Sequence, residues 1–199
     1  MDETIMKINE AHFIDRLTSG VTREGVNELV EFLQYETDFF YAPCSTRYHL
    51  STPGGLVKHS LNVDTVFSKL CKSFYPDLPE ESIHICALLH DICKFNCYKP
   101  VKKSRKTGRL LPNGKTEWED YTGYDFDEEF PYGHGEKSVY LIQKFIKLTD
   151  EEAMAIRWHM GFSDASFKGG QNAVGNAMKK FPIIALLHTA DIIAASNEE

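Results

Sequence analysis

The chain has 199 residues, 42% of them hydrophobic and 26% charged, with a formal net charge of −7 at pH 7. That size supports one domain with a real core. No apolar run approaches the roughly 18 residues of a membrane span, and the acidic balance disfavours a protein that lives on bulk nucleic acid.

The opening residues Met1-Asp2-Glu3-Thr4-Ile5 carry no basic-then-apolar leader, so a secretory signal is not expected. The five cysteines (Cys44, Cys71, Cys86, Cys93, Cys97) are odd in number and lack Cys-x-x-Cys spacing. They read as reduced packing thiols of a cytoplasmic protein, not as a disulfide framework or zinc knuckle.

Residues 5–18 and 22–36 are predicted helices; in the second, Val26, Leu29, Val30 and Leu33 recur at helical spacing, and Thr22 with Glu24 supplies a start. Residues 37–52 (Phe39, Phe40, Tyr41, Pro43, Tyr48) form an aromatic, irregular loop over the core or over a pocket mouth. Pro53-Gly54-Gly55 then breaks the chain and starts a third helix, apolar from Leu56 to Leu70 but interrupted by His59 and Asn62. Pro79-Glu80-Glu81 makes a good first turn for a fourth helix, expected from about 80 through 94, with His90 and Asp91 near its end.

Residues 96–133 differ in character. A basic cluster (Lys99, Lys102, Lys103, Arg105, Lys106, Arg109, Lys115) meets an acidic one (Glu117, Glu119, Asp120, Asp125, Asp127) across the turn Pro112-Asn113-Gly114-Lys115. Asn-Gly between β-branched arms predicts a hairpin, around residues 98–122, inserted in a helical domain. Its mixed charges read as a solvated face, with a phosphate-contacting flap as the alternative. His134 opens the next helix, and Thr149-Asp150-Glu151-Glu152 is a capping box for another that ends near Gly161. Residues 161–176 read as a loop, and a final apolar helix from Pro182 is interrupted by His188 and Asp191. With no repeat or linker, one domain over 1–199 is expected: N-terminal helices 5–36, a core of 53–196 and the insertion 96–133.

The polar residues that interrupt apolar helices, or sit at their ends, are His59, His90, Asp91, His134, His159 and Asp191. Singly, each histidine reads as an ordinary core or surface residue. An aspartate within Leu-Leu-His-Thr-Ala-Asp-Ile-Ile-Ala needs more, because burying an unpaired carboxylate is costly and a bound cation removes that cost. Imidazole and carboxylate together suit divalent transition metals.

The segments Leu56-Val57-Lys58-His59-Ser60-Leu61-Asn62-Val63, Leu88-Leu89-His90-Asp91-Ile92-Cys93-Lys94, Gly133-His134-Gly135-Glu136-Lys137-Ser138 and Leu187-His188-Thr189-Ala190-Asp191 resemble the HD-domain superfamily of metal-dependent phosphohydrolases, over roughly residues 53–195. The resemblance implies an all-α bundle around a metal site, with the small hairpin inserted. It implies that His59, His90, Asp91 and Asp191 hold one metal, and that His134 and His159 are the two extra histidines of the dinuclear branch, with Asp91 bridging. The cofactors would be two divalent ions among Fe, Mn, Ni, Co and Zn, since Mg prefers all-oxygen surroundings.

By the same resemblance, Asp91 and Lys94 are the catalytic residues, and Lys94 contacts the phosphate of a small phosphorylated substrate, a nucleotide or phosphodiester. Arg157 and Lys168 are read as further phosphate guides. Lys94 equally suits a helix-terminal cation facing carbonyls, and Glu136 suits either a partner of His134 or a first-turn acid. Cys93 stands where many relatives carry glycine, a departure expected to touch no ligand. The same six-ligand order also occurs in HD-type di-iron oxygenases, and some similar HD domains act as 3′-to-5′ exonucleases on short single strands.

Overall fold

A computed structural model describes residues 1–163 and 171–197. The described part is mostly helical with one antiparallel hairpin: α1 (Glu3–Gly20), α2 (Val26–Tyr35), α3 (Gly55–Phe74), α4 (Glu80–Leu89), β1 (Tyr98–Leu110), β2 (Thr116–Phe126), α5 (His134–Ile142), α6 (Asp150–Arg157), α7 (Gln171–Lys180) and α8 (Ile183–Ser196). No described helix is long and apolar enough to cross a membrane.

Helix α3 is the axis of the bundle. It packs against α8, α4 and α1, and Leu56, Val57, Val63, Phe67 and Cys71 are fully buried along it. Its first turn is fixed by a close approach. A Cβ at Gly55 would lie 2.0 Å from the Leu50 carbonyl oxygen, so only glycine lets the 42–50 loop press against the start of α3. Just before that loop, Phe39 and Phe40 turn inward, where both rings pack on Phe13 of α1.

Polar ties hold the periphery. Arg23 donates to both carboxylate oxygens of buried Glu152, at 2.6 and 2.7 Å, and to Glu81 at 3.0 Å. Glu152 also accepts from Ser82 Oγ at 2.6 Å and closes the capping box with Thr149 that the sequence predicts. Buried Asp64 on α3 takes Arg16 at 2.6 Å and His84 at 2.8 Å.

Several boundaries differ from expectation. Helix α2 begins at Val26, behind a left-handed Gly25, because Thr22 is taken by Glu81. The fourth helix stops at Leu89 and a separate 3-10 turn covers Ile92–Lys94. The Ala87 carbonyl that a continuing helix would offer to the Asp91 N–H faces His90 Nδ1 instead, at 2.8 Å. The hairpin runs to Phe126, past the expected 122, with a register irregularity between Lys106 and Leu110. Residues 171–176, expected in a loop, belong to α7; residues 164–170 of that expected loop, Lys168 included, lie outside the described residues.

Candidate metal centre

The six polar residues singled out from the sequence converge in the bundle. His59 projects from the second turn of α3, and His90 and Asp91 stand where α4 ends. His134 opens α5, His159 follows α6, and Asp191 lies mid-way along α8. His59, His90 and His159 are fully buried, and Asp91 is 2% exposed. Ligand atoms lie within 4.8 Å of one another in three overlapping sets: His59, His90 and Asp191; His90, Asp91 and His159; and Asp91, Cys93 and His134.

The two oxygens of Asp91 face different partners. Oδ1 is 2.7 Å from His134 Nε2 and 3.5 Å from His159 Nε2. Oδ2 is 3.5 Å from His90 Nε2 and 3.7 Å from His59 Nε2. On the far side His59 Nε2 is 3.1 Å from Asp191 Oδ1. One carboxylate therefore stands between two groups of imidazoles.

Ring orientation follows from the helix ends. His90 Nδ1 is 2.8 Å from the Ala87 carbonyl, and His159 Nδ1 is 2.7 Å from the Ile156 carbonyl. A carbonyl only accepts, so each Nδ1 carries a proton, and in the neutral ring each Nε2 presents a lone pair inward. Those two Nε2 atoms are buried and make no hydrogen bond among the described residues. A buried nitrogen lone pair beside a carboxylate is what a cation would satisfy. His188 Nδ1 in turn donates to the His159 carbonyl at 2.6 Å, fixing that residue's backbone.

The electrostatics suit a cation too. Burial pulls His90 down to about 3 and His134 below its ordinary value, so both are neutral donors at neutral pH. Burial works against the Asp91 carboxylate, but Lys94, His90 and His134 outweigh it and hold the group well below the usual range. Asp191 is likewise lowered, burial being outweighed first by the His59 hydrogen bond and then by the neighbouring His90. His159 runs the other way: burial opposes its charged form, but Asp91 outweighs it and raises the group, so a cation there would compete with a proton.

Lys94 Nζ is 2.6 Å from Asp91 Oδ2 and 3.8 Å from Cys44 Sγ, so it faces the cluster rather than capping carbonyls. Arg157 is engaged within the protein: it pairs with Glu136 and its guanidinium lies 3.9 Å over the Trp158 ring. Glu136 thereby braces the start of α5 against α6. The approach is close enough that a Cβ at Gly135 would sit 2.2 Å from the Arg157 carbonyl oxygen. Cys93, expected to touch no ligand residue, has its Sγ 3.3 Å from His134 Nδ1; burial pushes its thiol up to about 12.

Two residues at the cluster were not singled out as site residues in the sequence. Cys44 Sγ and His49 Nε2 are 3.3 Å apart, and the His49 ring centroid is 5.0 Å from that of His59. Cys44, His49 and His59 form a further group whose ligand atoms lie within 4.8 Å of one another. Their only sequence signal is a cysteine and a histidine in an irregular aromatic loop just before an interrupted helix.

The family model described as HD domain matches residues 56–195. Comparison with curated proteins and with solved structures yields no match. HD domains are generally metal-dependent phosphohydrolases, and the buried His/Asp cluster is consistent with a metal site. Cys44 and His49 come from outside the matched span.

Proposed function

The chain belongs to the HD-domain family, and on that premise we propose that it hydrolyses a phosphate ester of a nucleotide or another phosphodiester, with two divalent transition ions at the cluster. The observation that carries the proposal is the pair of buried, inward-facing Nε2 atoms of His90 and His159 on either side of Asp91. His59, His90, Asp91 and Asp191 would hold one ion, and Asp91, His134 and His159 the other. Fe, Mn, Ni, Co or Zn suits such a mixed nitrogen and carboxylate set. When bound, the ions supply Lewis acidity toward phosphoryl oxygen and lower the pKa of water.

The chain's own residues account for the rest. Asp91 stays ionised and offers one oxygen to each half of the cluster. The helix-end carbonyls of Ala87 and Ile156 hold the His90 and His159 rings in the donor tautomer. Lys94, on the Asp91 Oδ2 side, is placed to take a phosphate oxygen when the Asp91 charge is shared with a cation. Arg157 acts through Glu136, steadying the turn that carries His134.

The test is elemental analysis of the purified protein, then assay of a nucleotide and phosphodiester panel with each of the candidate metals. Two ions per chain and metal-dependent release of phosphate or a nucleotide are expected. Protein that retains no metal and hydrolyses no ester overturns the proposal. Oxygen uptake by the ferrous protein without ester hydrolysis moves the assignment to oxygenase chemistry.

A further inference from the structure

The β1–β2 ribbon makes its dense contacts between its own strands and, among the described residues, only sparse ones with any helix. Between Tyr98 and Phe126 it carries seven cations (Lys99, Lys102, Lys103, Arg105, Lys106, Arg109, Lys115) against four acids (Glu117, Glu119, Asp120, Asp125), in a chain whose net charge is −7. Positive charge is thus concentrated on an arm that the fold itself does not use.

The two faces of the ribbon are unlike. Residues paired across an antiparallel ribbon share a face, and alternate residues along each strand do too. One face holds Lys99, Lys103 and Arg105, and each is neutralised: Lys99 by Asp127, Lys103 by Asp125 at 3.0 Å and Arg105 by Glu119 at 2.6 Å. The register puts Tyr98 with Phe126, Pro100 with Tyr124, Lys102 with Thr122, Ser104 with Asp120 and Lys106 with Trp118 on the other face. Among the described residues neither Lys102 nor Lys106 has an ion-pair partner; Lys106 lies only over the Trp118 ring, at 5.7 Å. Trp118 is 58% exposed and Phe126 52%.

This face runs to the cluster. Tyr98, at its base, donates to the Cys44 carbonyl at 2.9 Å, and Cys44 Sγ neighbours Lys94 Nζ. Exposed aromatic rings interleaved with unpaired lysines match what unpaired bases and their phosphates require: stacking surfaces, and cations along the backbone. An acidic peptide would use the lysines and leave Trp118 and Phe126 in water. A duplex would bury its base faces and leave the rings without stacking partners.

We infer that the Tyr98–Lys102–Lys106–Trp118 face of the ribbon binds a single-stranded nucleic acid and leads it toward the metal centre. The inference rests on the phosphohydrolase reading and narrows its substrate to a polynucleotide strand.

The experiment measures binding of a short, fluorescently labelled phosphorothioate oligothymidylate, which resists hydrolysis, to the full-length metal-loaded protein by anisotropy. Hydrolysis of bis-p-nitrophenyl phosphate is assayed separately. Binding that weakens steeply with added salt is expected. Trp118→Ala should weaken it by at least about fivefold, the effect of losing one stacked base. The pair Lys102→Gln with Lys106→Gln should weaken it more than the equally discharging pair Lys99→Gln with Arg105→Gln. Thermal melting of each variant reads folding.

Equal losses from the two lysine and arginine pairs, equally good binding of a duplex, or equally good displacement by polyglutamate would each overturn the inference. So would absence of oligonucleotide binding in a protein that hydrolyses the small diester. Oligonucleotide binding by wild type with no hydrolysis of any ester would instead sink the phosphohydrolase reading and leave the arm standing.

Discussion

Lys94 Nζ lies 2.6 Å from Asp91 Oδ2, three residues along a chain that has just left α4. The pair is internal: burial opposes the ammonium, and the Asp91 charge outweighs it and raises Lys94 well above its ordinary value. A lysine so placed competes with a cation for one oxygen of the proposed bridging carboxylate, and can turn to a phosphate once that cation is present. Lys94→Gln should therefore keep at least the wild-type metal content while kcat/KM on a phosphate ester falls roughly tenfold to a hundredfold, as for loss of a charge-assisted hydrogen bond. Loss of metal in this variant would reassign Lys94 to a structural role.

Asp91 faces both halves of the cluster, with Oδ1 toward His134 and His159 and Oδ2 toward His59 and His90. Asp91→Ala should release both ions and abolish ester hydrolysis. An active variant that retains its full metal content would remove Asp91 from the site.

His134 is the most exposed of the cluster's proposed histidine ligands, its side chain 30% exposed, and it touches only the Oδ1 half. His134→Ala should leave one ion of two. Metal content equal to wild type would refute its role as a ligand.

The site was more legible in the sequence than the elements that hold it. His59, His90 and Asp191 announce themselves because each breaks an otherwise apolar helix, and burying an imidazole or carboxylate needs compensation. The end of α4 did not announce itself: Leu88-Leu89-His90-Asp91-Ile92 reads as uninterrupted helix, and what stops it is a side chain turned back on the Ala87 carbonyl. Cys44 and His49 were hidden for another reason. They reach His59 only because Gly55 lets the Leu50 carbonyl sit against α3, a long-range contact with no local periodicity. Arg157, read from its charge as a phosphate guide, has a partner no local pattern shows, Glu136 on a different helix.

Away from the cluster, Arg23 is the counter-charge of Glu152, which is 1% exposed. Arg23→Ala should cost about 3–5 kcal/mol, because it leaves a buried carboxylate with Ser82 and the Thr149 backbone but without its cation. Chemical denaturation measures it. A loss below about 1 kcal/mol, the range of exposed pairs, would show that water reaches Glu152.

His84 gives a pH signature. Its hydrogen bond to Asp64, with help from the charges of Asp64 and Glu80 and against burial and Arg16, raises it above the ordinary 6.5. A raised folded value means stability that is fully present below the unfolded value and is lost as pH climbs through the folded one. The Tm advantage of wild type over His84→Gln should be steady below about pH 6 and shrink as pH rises above about 6.5. An advantage that grows with pH would contradict the Asp64 pairing.

The two helix-end carbonyls, Ala87 and Ile156, do more than set a tautomer. Each ties an imidazole to the last turn of its own helix, three residues back, so neither ring swings without giving up its hydrogen bond to that turn. An ion seated between the rings would then splint the ends of α4 and α6. Fraying of either turn would free its imidazole, so a bound cation would be held the more firmly the more seldom those two short helices open at the tip.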